Sequence, residues 1–591
     1  MIKKSLILTL LLLLVISLQA QFYNGSQLTF GKSRVQYQKF NWQYYRANLY
    51  DVYFYPTSKP LAEYTYGKAA GIIGELERTL NYTLYKKIHF IVYNTQGDFR
   101  ESNFGFDNED FYNQGGITNI YGNKVYLYFD GDHNHFDKMI KSGIINIFAR
   151  NIVEGESVGA NISAGHLSSL PNWFYSGLSS YMAEPWSPEI DIYVKDGILS
   201  KRYELLEDLN PVEATYAGHC FWKFIVDRYG EATISNILYS VRSSKNVEKS
   251  LYYVTGVPYK ELMEDWFRTY YVIYTKESKI GEPIANELLT KPNKSRDYSQ
   301  ITLSPDGESY AYVTNEAGQI KVWLKMADYK KPKMIFKRDK KTEDNPDLSF
   351  PIVAWHPDGN LIGFTIEDRG RCYYYPFIIK DKKRGDRFLV DVEKITDWTY
   401  SDDGRYMLFS GFRNGQSDIF LYSFQSRSYQ NLTNDFYDDY EPRFMNNQKD
   451  IVFSSNRPVD SIDTENKFYN YQNQNNLDLF VYHYSEKNNQ LLRVTYTPDA
   501  NEKQVRVIGK GEIIYTSDEN GIYNRYYAQF DSAITTIDTI IHYAYFAKTN
   551  PISNYGYSIV EQDYATKSST LATIFLKKGV KRIYLNPFEK P

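Results

Sequence analysis

A short unit recurs through the second half of this 591-residue chain and constrains its fold more than any other feature. Each copy has a tight turn followed by an alternating apolar strand. The first three turns read Ser-Pro-Asp-Gly at 304–307, His-Pro-Asp-Gly at 356–359 and Ser-Asp-Asp-Gly at 401–404. Less regular turns follow at Asn446-Asn447 and at 509–511. Asp-Gly turns accept positive φ and close tight hairpins.

The spacing of these units predicts a β-propeller. Repeats of roughly 40–50 residues with several strands each are typical of propeller blades. One blade cannot bury both of its faces, so neighbouring blades must stack. Residues 555–585 are expected to supply a sixth blade. An open all-β sandwich with similar turns is the alternative architecture.

Composition agrees with many half-buried strands. The chain has 57 Tyr, 34 Phe and 8 Trp. Tyr packs its ring in a strand while its hydroxyl reaches water. The formal net charge of -3 gives no overall field that would favour nucleic acid as a partner.

The N-terminus has the pattern of a secretory signal peptide over residues 1–20. Lys3 and Lys4 precede an apolar run at 6–18, and Ala20 is the small residue before the expected cleavage point. The run is short for a transmembrane span, and no later stretch is apolar for long enough. We therefore expect an exported protein without a transmembrane span, in the periplasm, associated with the outer membrane, or at the cell surface.

The two cysteines are expected to be buried free thiols. Cys220 and Cys372 lie in what we predict to be different domains, so a stapled framework is excluded. A disulfide between them is the alternative.

Residues 21–280 have an α+β pattern that differs from the repeats. Alternating apolar residues predict strands at 48–55, 88–93 and 125–129. Helical periodicity predicts helices at 61–80, 135–152, 171–182, 211–229, 232–241 and 259–271. The fold class is therefore multidomain, with an α+β domain at 21–280 and an all-β propeller at 281–591.

The repeated turns resemble the WD-like repeats of the TolB propeller family, whose usual turn is Ser-Pro-Asp-Gly. The resemblance covers about half of the chain. The first three copies of the repeat match the family's turn well, and the later copies match it less closely. It implies a six-bladed propeller that binds other proteins, often at its central funnel. It does not name the partner.

The first half resembles the peptidase-MA-like domains of the gluzincin metallopeptidases, which precede TolB-like propellers in Bacteroidota-type envelope proteins. The resemblance rests on three stretches: 51–55 (Asp-Val-Tyr-Phe-Tyr), 124–129 (Lys-Val-Tyr-Leu-Tyr-Phe) and 170–178 (Leu-Pro-Asn-Trp-Phe-Tyr-Ser-Gly-Leu). It implies a zincin-like fold. In that family an H-E-x-x-H helix supplies two zinc ligands and the general base, and a later Glu is the third ligand.

The residues that such a zinc site needs are missing from this chain. The alignment places Ser142 and Asn146 at the two His positions, Gly143 at the base and Ser176 at the third ligand. No H-E-x-x-H occurs anywhere in the sequence. Ser and Asn do not replace imidazole and carboxylate as zinc ligands. We therefore expect a pseudo-peptidase with no zinc and no other cofactor.

Residues 130–137 form the densest group of potential metal ligands. Asp132, His133 and His135 are candidates for a divalent metal, with His166 or His219 as a further ligand if folding brings one near. The alternative is a polar loop and helix N-cap, since acids are favoured near a helix start.

Two other stretches have a functional and a structural interpretation. Gly155-Glu156-Ser157-Val158-Gly159 matches a nucleophile elbow, but that motif needs a preceding strand, whereas here it follows a helix. Residues 466–476 are rich in amides and aromatics, and they are either a solvated loop of the fourth blade or a partner-binding loop.

These observations leave two classes of function. The first is a non-catalytic protein-binding or scaffold component of the cell envelope, whose partners belong to an outer-membrane assembly or secretion machine. The second is a zinc metallopeptidase with atypical ligands. Nucleic acid is not an expected partner in either class.

Overall fold

The computed structural model describes residues 36–102, 118–155, 170–281, 286, 288, 292–338, 347–463, 476–486, 488–537 and 541–590. The predicted signal peptide at 1–20, His166, residues 156–159 and residues 466–475 lie outside these ranges. The described chain has two parts, an N-terminal α+β unit and a propeller.

A five-stranded mixed sheet forms the base of the N-terminal unit. Its strands are β1 (Gln43–Arg46), β2 (Tyr50–Phe54), β3 (Ile88–Tyr93), β4 (Asn119–Tyr121) and β5 (Lys124–Tyr128). They lie in the order β1-β2-β3-β5-β4. The inner strands β2, β3 and β5 are parallel, while β1 and β4 are antiparallel edges.

Helices cover one side of this sheet and continue beyond it. They are α1 (Lys59–Thr79), α2 (Gln96–Arg100), α3 (His133–Glu154), α4 (Asn172–Ala183), α5 (Pro188–Leu199), α6 (Pro211–Tyr229), α7 (Ala232–Ser244), α8 (Val247–Thr255) and α9 (Tyr259–Glu277). Except for α2, their apolar faces and the inner face of the sheet share one hydrophobic core, whereas Phe99 on α2 packs with Ile91, Tyr93 and Tyr126 on the opposite face. The predicted helices agree with these elements to within a few residues, whereas β1, β4, α2, α5 and α8 were not predicted.

The propeller has six blades, as the repeats predict. Blade 1 is β6 (Asp297–Leu303), β7 (Tyr310–Glu316), β8 (Gln319–Lys325) and β9 (Lys333–Arg338). Blade 2 is β10 (Ile352–Trp355), β11 (Leu361–Asp368), β12 (Arg371–Ile378), β13 (Lys383–Arg384) and β14 (Phe388–Val390). Blade 3 is β15 (Lys394–Tyr400), β16 (Tyr406–Arg413), β17 (Gln416–Ser423) and β18 (Ser428–Asn431).

The other three blades follow in chain order. Blade 4 is β19 (Asp439–Met445), β20 (Asp450–Ser455), β21 (Asp478–Tyr482) and β22 (Leu491–Arg493). Blade 5 is β23 (Glu502–Gly509), β24 (Glu512–Ser517), β25 (Asn524–Ile537) and β26 (Ile541–Pro551). Blade 6 is β27 (Ile559–Ala565), β28 (Thr570–Lys577) and β29 (Val580–Pro587). Every blade is an antiparallel sheet with its first strand innermost.

The outermost position of blade 6 is filled from the start of the propeller. Leu288 N donates to the carbonyl of Ile583 at 2.9 Å, and Leu585 N donates to that of Asn286 at 3.1 Å. Leu288 also packs on the hydrophobic cluster shared by blades 6 and 1. This pairing fastens the two ends of the ring together. Residues 555–585, predicted as the sixth blade, supply β27, β28 and most of β29.

The repeated turns have the backbone conformation that their sequence predicts. Gly307, Gly359 and Gly404 have φ of 72°, 76° and 70°. A Cβ on Gly404 would lie 2.0 Å from Nε2 of His356 in the preceding blade. Glycine is therefore needed there both for the positive φ and for the contact between neighbouring turns.

Candidate functional site

A polar channel runs along the axis of the propeller. Its cavity of about 820 Å³ is lined by the innermost strands and by the turns at their ends. Charged side chains from four blades line it: Asp397, Asp402, Glu441, Arg443, Arg506 and Asp563. Such a wall offers many hydrogen-bonding groups and more polar than apolar surface. It suits a polar or extended polypeptide ligand better than an apolar molecule.

The innermost strands bulge at one end of the channel. The pairing register shifts between Ser299 and Thr302 in blade 1, and equivalent shifts occur in blades 3, 4, 5 and 6. In the bulges Gln300 and Gln504 have φ of 54° and 57°. Bulges expose backbone amides that the ladder would otherwise use.

Carboxylates of neighbouring blades receive those amides. Gln300 N donates to Glu561 at 2.6 Å, and Gln504 N donates to Glu441. Burial raises the pKa of Glu561 to about 7. These bonds join blade 6 to blade 1 and blade 4 to blade 5. The bulged end of the channel is therefore a ring of interblade contacts.

Ion pairs between blades hold the middle of the channel. Arg506 of blade 5 contacts Asp563 of blade 6 at 2.8 Å, and Asp563 also accepts from Leu303 N of blade 1 at 2.8 Å. Arg443 of blade 4 pairs with Asp397 of blade 3. Because these arginines are already paired, they fix the wall more than they attract a free anion.

The N-terminal unit covers the bulged end of the propeller. Glu189 on α5 contacts Nζ of Lys503 at 2.8 Å and accepts from the Tyr523 hydroxyl at 2.9 Å. Asp196, also on α5, accepts from the amides of Lys578 and Gly579 in the β28–β29 turn. In the part of the chain that the structure describes, the contacts between the two units lie at this end.

The start of α3 reaches the bulged end of the channel, which the N-terminal unit covers. Asp132 lines the cavity and caps α3 by accepting from Asn134 N at 2.8 Å and His135 N at 3.1 Å. Next to it, the Phe129 ring lies 5.0 Å from the ring of Phe412 in blade 3. The channel therefore has one end covered by α3 and the strand end before it.

A buried ion pair joins α3 to blade 4. Nδ1 of His133 lies 2.7 Å from Oδ1 of Asp438, and His133 N donates to Oδ2 at 2.9 Å. Both residues are 0% exposed. Burial lowers the pKa of His133, but the charge and hydrogen bond of Asp438 outweigh it, so the net pKa is raised.

A second polar cluster lies where α2 and the loop after β3 meet blades 2 and 3. Buried Lys394 lies 3.4 Å from Asp347. Burial raises the pKa of Glu367 and of Glu393 to about 7. The carboxyl of Glu367 packs so closely on Gly97 that a side chain there would collide with it. The interface is therefore close-packed and partly ionic.

The other face of the propeller carries the repeated turns. Acidic side chains of these turns are exposed around the channel mouth: Asp306, Asp358, Asp402 and Asp403. We call this surface the open face. It leaves the channel accessible from one side.

A β-ribbon projects from the open face at blade 5. The last pair between β24 and β25 joins Glu512 to Gln529, but β25 continues to Ile537 and pairs only with β26. Ile534, Tyr545 and Phe546 on this ribbon are 54%, 58% and 37% exposed. The β-branched and aromatic residues beyond residue 530 extend both strands.

The positions predicted to have lost zinc ligands lie on α3 and α4. Asn146 Nδ2 donates to the carbonyl of Ser142 at 3.0 Å, and Ser176 Oγ donates to that of Asn172 at 2.7 Å. A Cβ on Gly143 would lie 2.5 Å from Val125. All four residues are buried. The polar side chains of Asn146 and Ser176 thus bond to their own helices.

The candidate metal ligands have other partners. Asp132 caps α3, His133 bonds Asp438, and Nδ1 of His135 lies 2.6 Å from Asp130. His219 is on α6, where its Nδ1 lies 2.9 Å from Ser180 Oγ. Gly155 follows α3 at its C-terminal end. Cys220 and Cys372 are buried free thiols.

One acidic group with metal-like spacing among the described residues was not predicted from the sequence. Carboxylate oxygens of Asp418, Asp435 and Asp439 lie within 4.8 Å of one another, and all three residues are buried. The guanidinium of Arg457, however, donates to Asp435 at 2.8 Å and to Asp439 at 2.8 and 2.9 Å. A cation of the protein itself therefore occupies this position. The only signal was an Arg two residues after the end of β20.

Comparison with known proteins gives a likeness of fold. No family model and no curated protein matches this chain. TolB from Acinetobacter baumannii is 17% identical over 56% of this chain and 71% of its own, with a TM-score of 0.30. A putative TolB from Agrobacterium tumefaciens is 19% identical over 33% of this chain and 63% of its own, with a TM-score of 0.25. The propeller domain of the Trilobed protease from Pyrococcus furiosus is 13% identical over 51% of this chain and 96% of its own, with a TM-score of 0.32.

Among the described helices, none is long and apolar enough to cross a bilayer.

Proposed function

We propose that this chain is a non-catalytic protein-binding component of the cell envelope that docks its partners on the open face of the propeller. The observation that carries the proposal is the asymmetry of the two faces. The N-terminal unit covers one end of the channel, while the other end keeps an accessible mouth and a projecting ribbon.

The ribbon has the properties of a docking element. Beyond Gln529 the inner edge of β25 has no strand partner among the described residues. Natural sheets usually protect such edges with charge, proline or a covering segment. This ribbon instead exposes Ile534, Tyr545 and Phe546. An extended segment of a partner can add to the edge through main-chain hydrogen bonds, while these side chains supply apolar contact.

We infer that the N-terminal unit is a degenerate peptidase-like domain whose present role is structural. The mixed sheet followed by α3 and α4 supports this relation, and the absence of H-E-x-x-H in the sequence supports the loss of activity. Gly143 packs against Val125, so a Glu at that position would need the sheet to move. The predicted signal peptide supports export, with an outer-membrane assembly or secretion machine as the setting.

Capture from an envelope extract tests the docking surface. We expect the unaltered protein to retain partners that the triple variant Ile534→Ser, Tyr545→Ser, Phe546→Ser loses by at least about ten-fold, since clustered exposed anchors dominate binding energy. The matched control is Tyr252→Ser with Tyr253→Ser, two tyrosines on α8 that are 50% and 69% exposed. Equal recovery with both variants, or recovery of free monomer alone, would contradict the proposal.

A further inference from the structure

The outer turns of blades 1 and 2 concentrate positive charge on the open face. Residues 326–332 connect β8 to β9, and residues 379–382 connect β12 to β13. Both lie beside the repeated turns, since Ala327 N donates to Ser309 Oγ at 3.2 Å and Ile379 N donates to the Asn360 carbonyl at 2.9 Å. Seven exposed bases of these turns form what we call the basic rim: Lys330, Lys331, Lys333, Lys380, Lys382, Lys383 and Arg384.

The two turns form one surface. The Arg384 guanidinium of blade 2 lies 5.5 Å from the centre of the Phe336 ring of blade 1. Met326 and Ile379 pack against the same hydrophobic cluster between the blades. The charges of both turns are therefore fixed side by side by a shared core.

The two turns carry more bases than acids. Residues 326–333 contain three Lys and one acid, and residues 379–384 contain four Lys and Arg and one acid, while the neighbouring repeated turns add Asp306, Glu308 and Asp358. The whole chain, in contrast, has a net charge of -3. On the rim itself, Asp381 pairs with Lys383 at 3.7 Å. Clustered like charges repel one another in the folded state, so they mark a surface that attracts an anionic partner.

We propose that the basic rim docks the propeller on an anionic membrane surface through lipid phosphate groups. Lysine provides six of the seven bases, and its compact ammonium acts as a point charge without the directional fork of arginine. Attraction to a diffuse layer of headgroups needs charge density more than geometry. The rim lies apart from the ribbon on blade 5, so membrane attachment and partner docking can occur together.

An apolar side chain within the rim favours a membrane over a nucleic acid. Met334 is 48% exposed between the rim and Lys337, and Lys333 lies 3.8 Å from the centre of the Tyr329 ring. Interfacial membrane surfaces combine lysines with apolar side chains that enter the headgroup region. A phosphodiester backbone gives an exposed methionine no comparable environment.

Flotation with phospholipid vesicles tests this surface. We expect the full chain to bind phosphatidylcholine vesicles that contain one-third phosphatidylglycerol, and to release them as NaCl rises from about 50 to about 500 mM. Pure phosphatidylcholine vesicles should bind weakly. Each base near an anionic surface strengthens binding about five-fold. The variant Lys380→Gln, Lys382→Gln, Lys383→Gln should therefore lower the partition coefficient between vesicles and solution by roughly two orders of magnitude.

A matched variant controls for total charge. Lys249→Gln, Lys260→Gln, Lys279→Gln removes three exposed lysines of the N-terminal unit and should bind as the unaltered protein does. Equal losses with both variants, or no binding to anionic vesicles at low salt, would overturn the proposal. Binding of a duplex DNA oligonucleotide through the rim lysines, without vesicle binding, would overturn it too. The second rim variant, Lys330→Gln, Lys331→Gln, Lys333→Gln, should repeat the loss independently.

Discussion

Replacing Arg457 with alanine is expected to lower the free energy of unfolding by about 3–5 kcal/mol. Arg457 is 0% exposed and is the counter-ion of two buried carboxylates, Asp435 and Asp439. Its Nε also donates to Ser455 Oγ at 3.0 Å. Without the guanidinium, both acids would remain in the core of blade 4 beside Asp418. The measurement is denaturant unfolding of the full chain.

The loss should depend on pH with a defined sign. Burial raises the pKa of Asp418 to about 8 and that of Asp435 to about 7. A raised folded-state pKa means that stability falls as pH rises from the unfolded value through the folded one. The deficit of the variant should therefore be larger near pH 8 than near pH 5. Arg405→Ala, an exposed arginine of the blade 3 turn, is the control and should change stability by less than about 0.5 kcal/mol.

A change of less than about 1 kcal/mol in Arg457→Ala would contradict this account of the acidic cluster. It would mean that the acids find other partners or become protonated at little cost. A tightly bound divalent cation in the unaltered protein would contradict it as well.

Breaking the pair between His133 and Asp438 is expected to weaken the docking of the N-terminal unit on the propeller. The free energy of docking should become less favourable by about 3 kcal/mol. The variant Asp438→Ala leaves a buried imidazole at the start of α3 without its counter-ion. Limited proteolysis between residues 278 and 296, with X-ray scattering in solution, measures the separation of the units. We expect faster cleavage there and a larger radius of gyration.

A double-mutant cycle separates this contact from effects inside blade 4. Asp438 also accepts from Asn456 Nδ2 at 3.2 Å, so part of its effect is local to the blade. His133→Ala removes the pair from the other side, and the double variant should lose much less than the sum of the two single variants. Additive losses would show that the two residues are not coupled across the interface.

The same pair predicts how docking responds to pH in the unaltered protein. The net raised pKa of His133 means that its contribution is complete below the ordinary value of 6.5 and is lost as pH rises through the raised value. Cleavage between the units should therefore accelerate at alkaline pH. That acceleration should be smaller in His133→Ala, where only other interface groups with raised pKa, such as Glu367 and Glu393, still weaken docking as pH rises.

Local sequence patterns predicted the blades because each blade is built from local contacts. The Asp-Gly turns fix both the hairpins and the contact of Gly404 with His356 in the neighbouring turn. The fourth strand position of blade 6 was not predictable in this way. Leu288 and Ile583 lie at opposite ends of the propeller sequence, and only the closure of the ring brings them into hydrogen-bonding contact.

The same limit explains the candidate site. His133 and Asp132 were recognised as a polar group at a helix start, but the partner of His133 is Asp438, 305 positions away. The pattern of Asp and His therefore could not distinguish a metal site from an interface. Arg457 and its three aspartates were missed for a similar reason, since they come from separate segments: Asp418 and Asp439 lie on β17 and β19, while Asp435 and Arg457 lie in connections.

The zinc content of the purified protein tests most directly whether this chain is a non-catalytic binding protein. A zinc metallopeptidase would hold a zinc ion, whereas a scaffold protein needs none. We predict less than about one-tenth of a zinc ion per chain and no chelator-sensitive peptidase activity, since Ser142, Gly143, Asn146 and Ser176 offer no imidazole or carboxylate. One tightly held zinc ion per chain, lost together with peptidase activity on chelation, would contradict the account.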